Sequence, residues 1–292
     1  MHLSELVELS ILAGVAPRQA LTGRILDRLR AFEVEKPADV LRDEQVWTLL
    51  CTYGYAVAGQ NGIAQLGRVL TEQDSRILTA TAWLEMLPLP PRQGEAKAKE
   101  SNTEVDLILG DVSLRLGTAG VQYQAPQDRD GWVCLVEAKY HSDIASHTTY
   151  DPCRNQMARV IETAVTFQSG GTSGPVYPHD VHFTLLTPHR FTDTNRAGGG
   201  PRLYAYKFRE YKRDPQALFD DIETASVSRR NGAGWQYPDL QQRLERLSLH
   251  WITYEHLIRA MPEGAYKQAL IQFIQRQPGC LLDSNLITAS AA

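Results

Sequence analysis

A carboxylate and an ammonium stand two residues apart in Val133-Cys134-Leu135-Val136-Glu137-Ala138-Lys139, at the end of an otherwise apolar run. Side chains of an extended strand alternate between faces, so Val133, Leu135, Glu137 and Lys139 share one face and Cys134, Val136 and Ala138 the other. A run that is apolar on both faces predicts a central strand covered from both sides, where an ionised group is costly unless it pairs or binds a metal. Glu137 and Lys139 are therefore read as chemistry. Two other Glu-x-Lys triplets lack that setting: Glu95-Ala96-Lys97 lies in a charged, Ala-rich stretch and Glu210-Tyr211-Lys212 in a polar run, and neither ends a buried strand.

Upstream, Glu104-Val105-Asp106-Leu107-Ile108-Leu109-Gly110 predicts a second apolar strand that carries an acid. Asp106 shares a face with Ile108, opposite Val105, Leu107 and Leu109. If the two strands are sheet neighbours, Asp106 and Glu137 converge on one divalent cation, with the Ala138 backbone carbonyl as a further hard ligand. Oxygen ligands without His or Cys favour Mg2+ or Mn2+.

The elements that would hold these residues follow from patterning. Leu/Ala-rich helices are expected near Leu3 to Gly14, Arg18 to Phe32 and Val40 to Ala58, with Gly59-Gln60-Asn61-Gly62 as an interruption. Thr71-Glu72-Gln73-Asp74 reads as a capping box opening a helix to Pro88, with Ile77, Thr81 and Leu84 facing inward. A meander follows, with strands Val105 to Leu109, Ser113 to Leu116, Val121 to Gln124 and Trp132 to Lys139. A helix is expected from Tyr150-Asp151-Pro152 to about Phe167, then a buried strand Val181 to Thr187. Further elements are a strand near Leu203 to Phe208, helices near Pro215 to Ser226 and Pro238 to Leu247, a strand Leu249 to Thr253 and two terminal helices.

The chain has 292 residues, 43% hydrophobic and 22% charged, as expected of a soluble globular protein with a sizeable core, in one large domain or a main domain with a smaller appendage. A net charge of -4 argues against a strongly basic, non-specific nucleic-acid binder, though a nuclease needs positive charge only at its cleft. The absence of a basic leader and of an apolar run of spanning length implies a cytoplasmic protein without membrane contact. Cys51, Cys134, Cys153 and Cys280 are scattered, which implies reduced thiols and no structural zinc.

Helix, meander, helix, strand, with Asp on the first strand and Glu-x-Lys on the third, resembles the PD-(D/E)xK nuclease superfamily, the fold of many restriction enzymes. The resemblance covers roughly residues 71–187 and is carried by Asp106, Glu137 and Lys139; Val105 stands where the family's Pro precedes the Asp. It implies an α/β fold with a restriction-endonuclease-like core of order αβββαβ, a mixed sheet flanked by helices. The domain reading is an N-terminal helical region over 1–70, then a nuclease-like domain with a C-terminal helical extension over 71–292. Gln156 resembles the polar residue many members carry on the following helix, and Glu85, expected on the preceding helix, a carboxylate some add to the metal shell. The implied activity is metal-dependent hydrolysis of phosphodiesters, DNA ahead of RNA, with Asp106, Glu137, Lys139 and Gln156 as its residues. A restriction or phage-defence role follows from relatives with extra helical regions. The N-terminal helices would bind a partner, recognise a DNA feature or mediate homo-oligomerisation, and the sequence does not choose among them.

Two rivals come from other classes. A binding module with the same fold would have little reason to keep three buried charges. A glycosidase using Asp106 and Glu137 as acid and base would turn over without metal and leaves Lys139 without a role. The stretch Arg202 to Arg213 interleaves aromatics with cations, as nucleic-acid surfaces do, but alternation of Tyr204, Tyr206 and Phe208 also fits one face of a strand. The glycine runs at 170–174 and 198–200 lack the Lys-Ser/Thr of a phosphate loop, His141 reads as a surface residue, and Glu255-His256 lacks a second zinc-spaced His.

Overall fold

The computed structural model of the chain describes residues 40–73, 81–88, 103–115, 117–118, 120–147, 154–169, 176–192, 202–223 and 239–289, together with 27 and 30. Its centre is a mixed seven-stranded sheet in the order β3-β4-β1-β2-β5-β6-β7. The strands are β1 (Thr81–Pro88), β2 (Val105–Gly110), β3 (Val112–Leu114), β4 (Gly120–Tyr123), β5 (Trp132–Ala138), β6 (Asp180–Thr187) and β7 (Leu247–Thr253). Antiparallel pairing joins β1 to β2 and β2 to β5, while β5, β6 and β7 run parallel. Parallel neighbours need a crossover. Helix α3 (Gln156–Val165) lies between β5 and β6 in the chain; α4 (Leu203–Arg213), α5 over 215–223 and α6 (Leu240–Leu244) lie between β6 and β7. The β3–β4 hairpin extends the sheet at the outer edge of β1.

All seven residues of β5 are buried, as a run apolar on both faces requires. Its two faces enter two separate cores. Cys134, Val136 and Ala138, with Leu107 and Leu109 of β2, pack against α1 (Glu44–Ala56), α2 (Gly59–Thr71) and the C-terminal helices α7 (Tyr254–Arg259), α8 (Ala265–Arg276) and α9 (Ser284–Thr288). Val133 and Leu135, with Ile108, pack against α3, α4 and α6. Residues 41–70 thus share one core with the sheet.

Several expectations are corrected. The helix expected from Thr71 to Pro88 does not form: Thr71 ends α2, its hydroxyl bonding back to the Gly67 carbonyl, and Glu72 closes the helix in the left-handed region at φ 50. Residues 81–88 are β1 instead, buried almost throughout and paired on both sides, because long-range ladder bonds outweigh a local i, i+3, i+4 pattern. The strand expected near Leu203 to Phe208 is helix α4, whose buried Tyr204, Phe208 and Tyr211 follow a helical spacing and leave Tyr206 exposed. Gly59-Gln60-Asn61-Gly62 opens α2 and does not interrupt a helix. Helix α3 starts at Gln156 under an Asn155 cap. The helices expected near Leu3 to Gly14 and Arg18 to Phe32, and the Tyr150-Asp151-Pro152 start, lie outside the described residues apart from 27 and 30. Cys51, Cys134 and Cys280 are free thiols, and Cys153 lies outside the described residues. No described helix is long and apolar enough to cross a membrane.

Candidate active site

The strand register lines up three acids. Leu107 pairs with Val136, so one step on Asp106 of β2 lies opposite Glu137 of β5. Leu84 and Met86 of β1 pair with Leu107 and Val105, which sets Glu85 opposite Asp106. Glu137 in turn pairs with Leu185, and Leu185 with Trp251. One row thus crosses five strands as Glu85, Asp106, Glu137, Leu185 and Trp251. Glu85 takes φ 53 within its strand, a backbone conformation that costs a residue with a Cβ on the order of 1 kcal/mol or more and gathers at functional sites.

Lys139 leaves the end of β5 and places Nζ 2.8 Å from Glu137 Oε1 and 3.2 Å from Glu44 Oε1. The Glu137 contact is a close, buried ion pair. Glu44 sits in the first turn of α1, under the Asp43 cap, and its other oxygen accepts a 2.7 Å bond from the Ser142 hydroxyl. Asp106 Oδ2 accepts the Ala138 N–H at 2.6 Å, and Glu85 accepts from the Gln45 side-chain amide at 3.1 Å. Glu137, Lys139 and Glu85 are buried, whereas Asp106 and Glu44 keep part of their surface accessible.

Electrostatics follow from that crowding. Burial lifts the Asp106 pKa well above the usual carboxylate range, and the Glu137, Glu85 and Glu44 carboxylates push it further while Lys139 pulls it down. Glu137 is also raised, chiefly by burial, against the pull of Lys139. Burial works against the Lys139 ammonium, but the Glu137, Asp106 and Glu44 carboxylates outweigh it and raise its pKa. The ammonium therefore stays charged, and Asp106 and Glu137 compete over how much negative charge the row can carry.

The site thus unites Asp106, Glu137 and Lys139 as the sequence implies, and it includes Glu85, from β1 and not from a helix. Gln156 is not joined to them by a hydrogen bond: its side-chain oxygen accepts the Ala145 N–H at 3.2 Å and its own N–H bonds the Ala145 carbonyl, so it fixes the loop that leaves β5. Glu44 was not legible, because an acid in the first turn of a helix is an ordinary dipole partner. His141 is exposed. Glu255 caps backbone N–H groups of His189 and Asp283, and His256 meets Arg259.

A divalent cation would draw its side-chain donors from Asp106 and Glu137, with the Ala138 carbonyl as the backbone partner the sequence reading assigns. Among the described residues no group of three or more His, Cys, Asp or Glu side chains is arranged to hold a metal. Two carboxylates match the habit of Mg2+, which takes one or two from the protein and completes its shell with water and substrate oxygens. Hollows of about 300 Å³ beside Trp251 and His256 and about 440 Å³ beside Tyr206 and Arg213 are lined by other residues. The trio is marked by charge, not by shape. No protein-family model, no curated protein and no solved structure matches this chain.

Proposed function

We propose that the chain is a metal-dependent nuclease with a restriction-endonuclease-like core. The observation that carries this reading is the row Asp106–Glu137 on neighbouring antiparallel strands with Lys139 closing on Glu137. The order α2, β1, β2, β5, α3, β6 supports it, since it follows αβββαβ once the β3–β4 hairpin is taken as an insertion. The acids fit a hard cation by their chemistry: both carboxylates are raised chiefly by burial, Asp106 further by Glu137 and Glu137 by Glu44, and arriving positive charge relieves them. Mg2+ or Mn2+ held by Asp106, Glu137 and the Ala138 carbonyl would supply Lewis-acid polarisation and neutralise charge on a phosphate. The protein's own part is clearer. Lys139, charged and fixed by Glu137 and Glu44, offers N–H donors to an attacking water or to the developing negative charge. The Ala138 N–H holds Asp106 at one oxygen and leaves its other to a ligand. DNA ranks ahead of RNA, and a defence role belongs to the same proposal.

The test is cleavage of plasmid, linear duplex, single-stranded DNA and RNA in Mg2+ or Mn2+, beside EDTA and Asp106→Asn. Cutting abolished by both, with the variant folded, supports the reading and names the substrate. Cutting that persists in EDTA overturns it in favour of metal-free hydrolysis. No cutting of any polymer, with no metal heat in calorimetry, leaves a binding module with the nuclease fold.

A further inference from the structure

Helical packing accounts for Tyr204, Phe208 and Tyr211 of α4 and leaves Tyr206 over. Its ring is 55% exposed, and among the described residues no other Phe, Tyr or Trp is exposed. Cations surround it. Arg202, Tyr206, Arg209 and Arg213 follow the spacing i, i+4, i+7, i+11, which keeps them on one side of the helix over about 16 Å. The Arg202 guanidinium lies 4.8 Å from the centroid of the Phe191 ring, and that of Arg190 5.5 Å from the same centroid. Arg209 donates to the Thr192 carbonyl at 2.8 Å, which joins α4 to the turn His189–Phe191 that carries Arg190. Arg190, Arg202 and Arg213 form no ion pair among the described residues, and the Arg202 Nε is buried without a hydrogen-bond partner. Glu210, the acid of α4, is engaged by Lys207 at 2.8 Å, and Lys207 also meets Asp221 at 2.8 Å. Like charges thus gather without counter-ions in a chain whose net charge is -4, and such a patch complements a polyanion.

We propose that this stripe is a binding surface for a single nucleic-acid strand, with Arg190, Arg202 and Arg213 on its phosphates and Tyr206 stacked on an unpaired base. The choice of polymer rests on the nuclease reading above. A strand carries a charge every few Å, so 16 Å of helix meets several phosphates, and a ring with an open face accepts any base. A hollow of about 440 Å³ adjoins Tyr206 and Arg213. The stripe is also held to the strand that bears the trio: Asp143, four residues past Lys139, accepts the backbone N–H groups of Leu203 at 2.6 Å and Tyr204 at 3.2 Å.

Binding of a fluorescein-labelled oligothymidylate of about 16 nucleotides, followed by anisotropy in EDTA across a salt series, reads the surface without turnover. The wild type is expected to bind with an affinity that falls steeply as salt rises. Arg190→Gln combined with Arg213→Gln, both at exposed positions, is expected to flatten the slope of log K against log salt by about 1.4, the share of two phosphate contacts on a single strand. Tyr206→Leu is expected to weaken binding about tenfold and to leave the salt slope unchanged, the scale of one stacked base. Both proteins are expected to melt as the wild type does, since the altered side chains are exposed. Absence of wild-type binding, or variants that bind as the wild type does, overturns the surface and leaves the nuclease reading to its own cleavage test. Weakened binding by the variants of a protein that cuts no polymer fails the nuclease reading and keeps the surface. An equal loss for Tyr206→Leu on a duplex of the same length overturns the stacking assignment.

Discussion

Asp106 and Glu137 face each other across a strand boundary, and Glu137 raises the cost of ionising Asp106. Asp106→Asn keeps an oxygen for the Ala138 N–H and removes one charge from the row. It is expected to abolish cleavage and to raise the unfolding free energy by on the order of 1 kcal/mol, as active-site charges are commonly held at the expense of stability; urea unfolding at pH 7 measures it. Lys139→Met acts in the opposite direction. It leaves Glu137 buried without its counter-ion and is expected to cost about 3 to 5 kcal/mol in the same assay. The trio was legible in the sequence because charges inside apolar runs are rare enough to be informative. Glu44 was not, since an acid at a helix start looks alike whether or not it borders a site.

Strands β2, β5 and β6 were legible within a residue or so, because each is a short apolar run bounded by turns. β1 and α4 were not. Residues 81–88 carry a pattern that suits either period, and only pairing with β2 and β4 decides between them. In α4 the Tyr204, Tyr206, Phe208 alternation is overridden by Tyr211, which makes a helical face with Tyr204 and Phe208. The turn that ends β2 depends on a residue type that the sequence does display. Gly110 takes φ 116, and a Cβ there would lie 2.3 Å from the Trp132 carbonyl oxygen. Gly110→Ala meets backbone in a conformation strained for any side chain, so it is expected to lose on the order of 2 kcal/mol or more, read as a lower thermal midpoint.

Across the whole molecule, two buried histidines connect the sheet to the end of α2. His182 of β6 bonds His250 of β7 ring to ring at 3.1 Å, and His250 reaches Glu72 at 3.1 Å. Burial, with His250 adding to it, lowers the His182 pKa to about 4. A base whose pKa is depressed by folding takes up its proton more readily in the unfolded chain, so stability is complete above the unfolded value near 6.5 and is lost as pH falls from there toward 4. The loss approaches about 3 kcal/mol at the acid end of that window. The His182→Phe protein is expected to lose less of its urea midpoint between pH 7 and pH 5 than the wild type does. The same pH dependence in the two proteins would mean that His182 titrates normally in the fold.

On the nuclease proposal, Asp106 and Glu137 on neighbouring strands would also make folding itself a cation sensor. A cation that binds the folded row and not the unfolded chain stabilises by mass action, about 2.7 kcal/mol once its concentration is a hundred times the dissociation constant. The melting temperature of the wild type is therefore expected to climb with Mg2+ or Mn2+ and to return to its starting value in EDTA, while that of Asp106→Asn stays nearly level. A wild-type melt indifferent to divalent ions would mean that protons, not metal, settle the charge of the row.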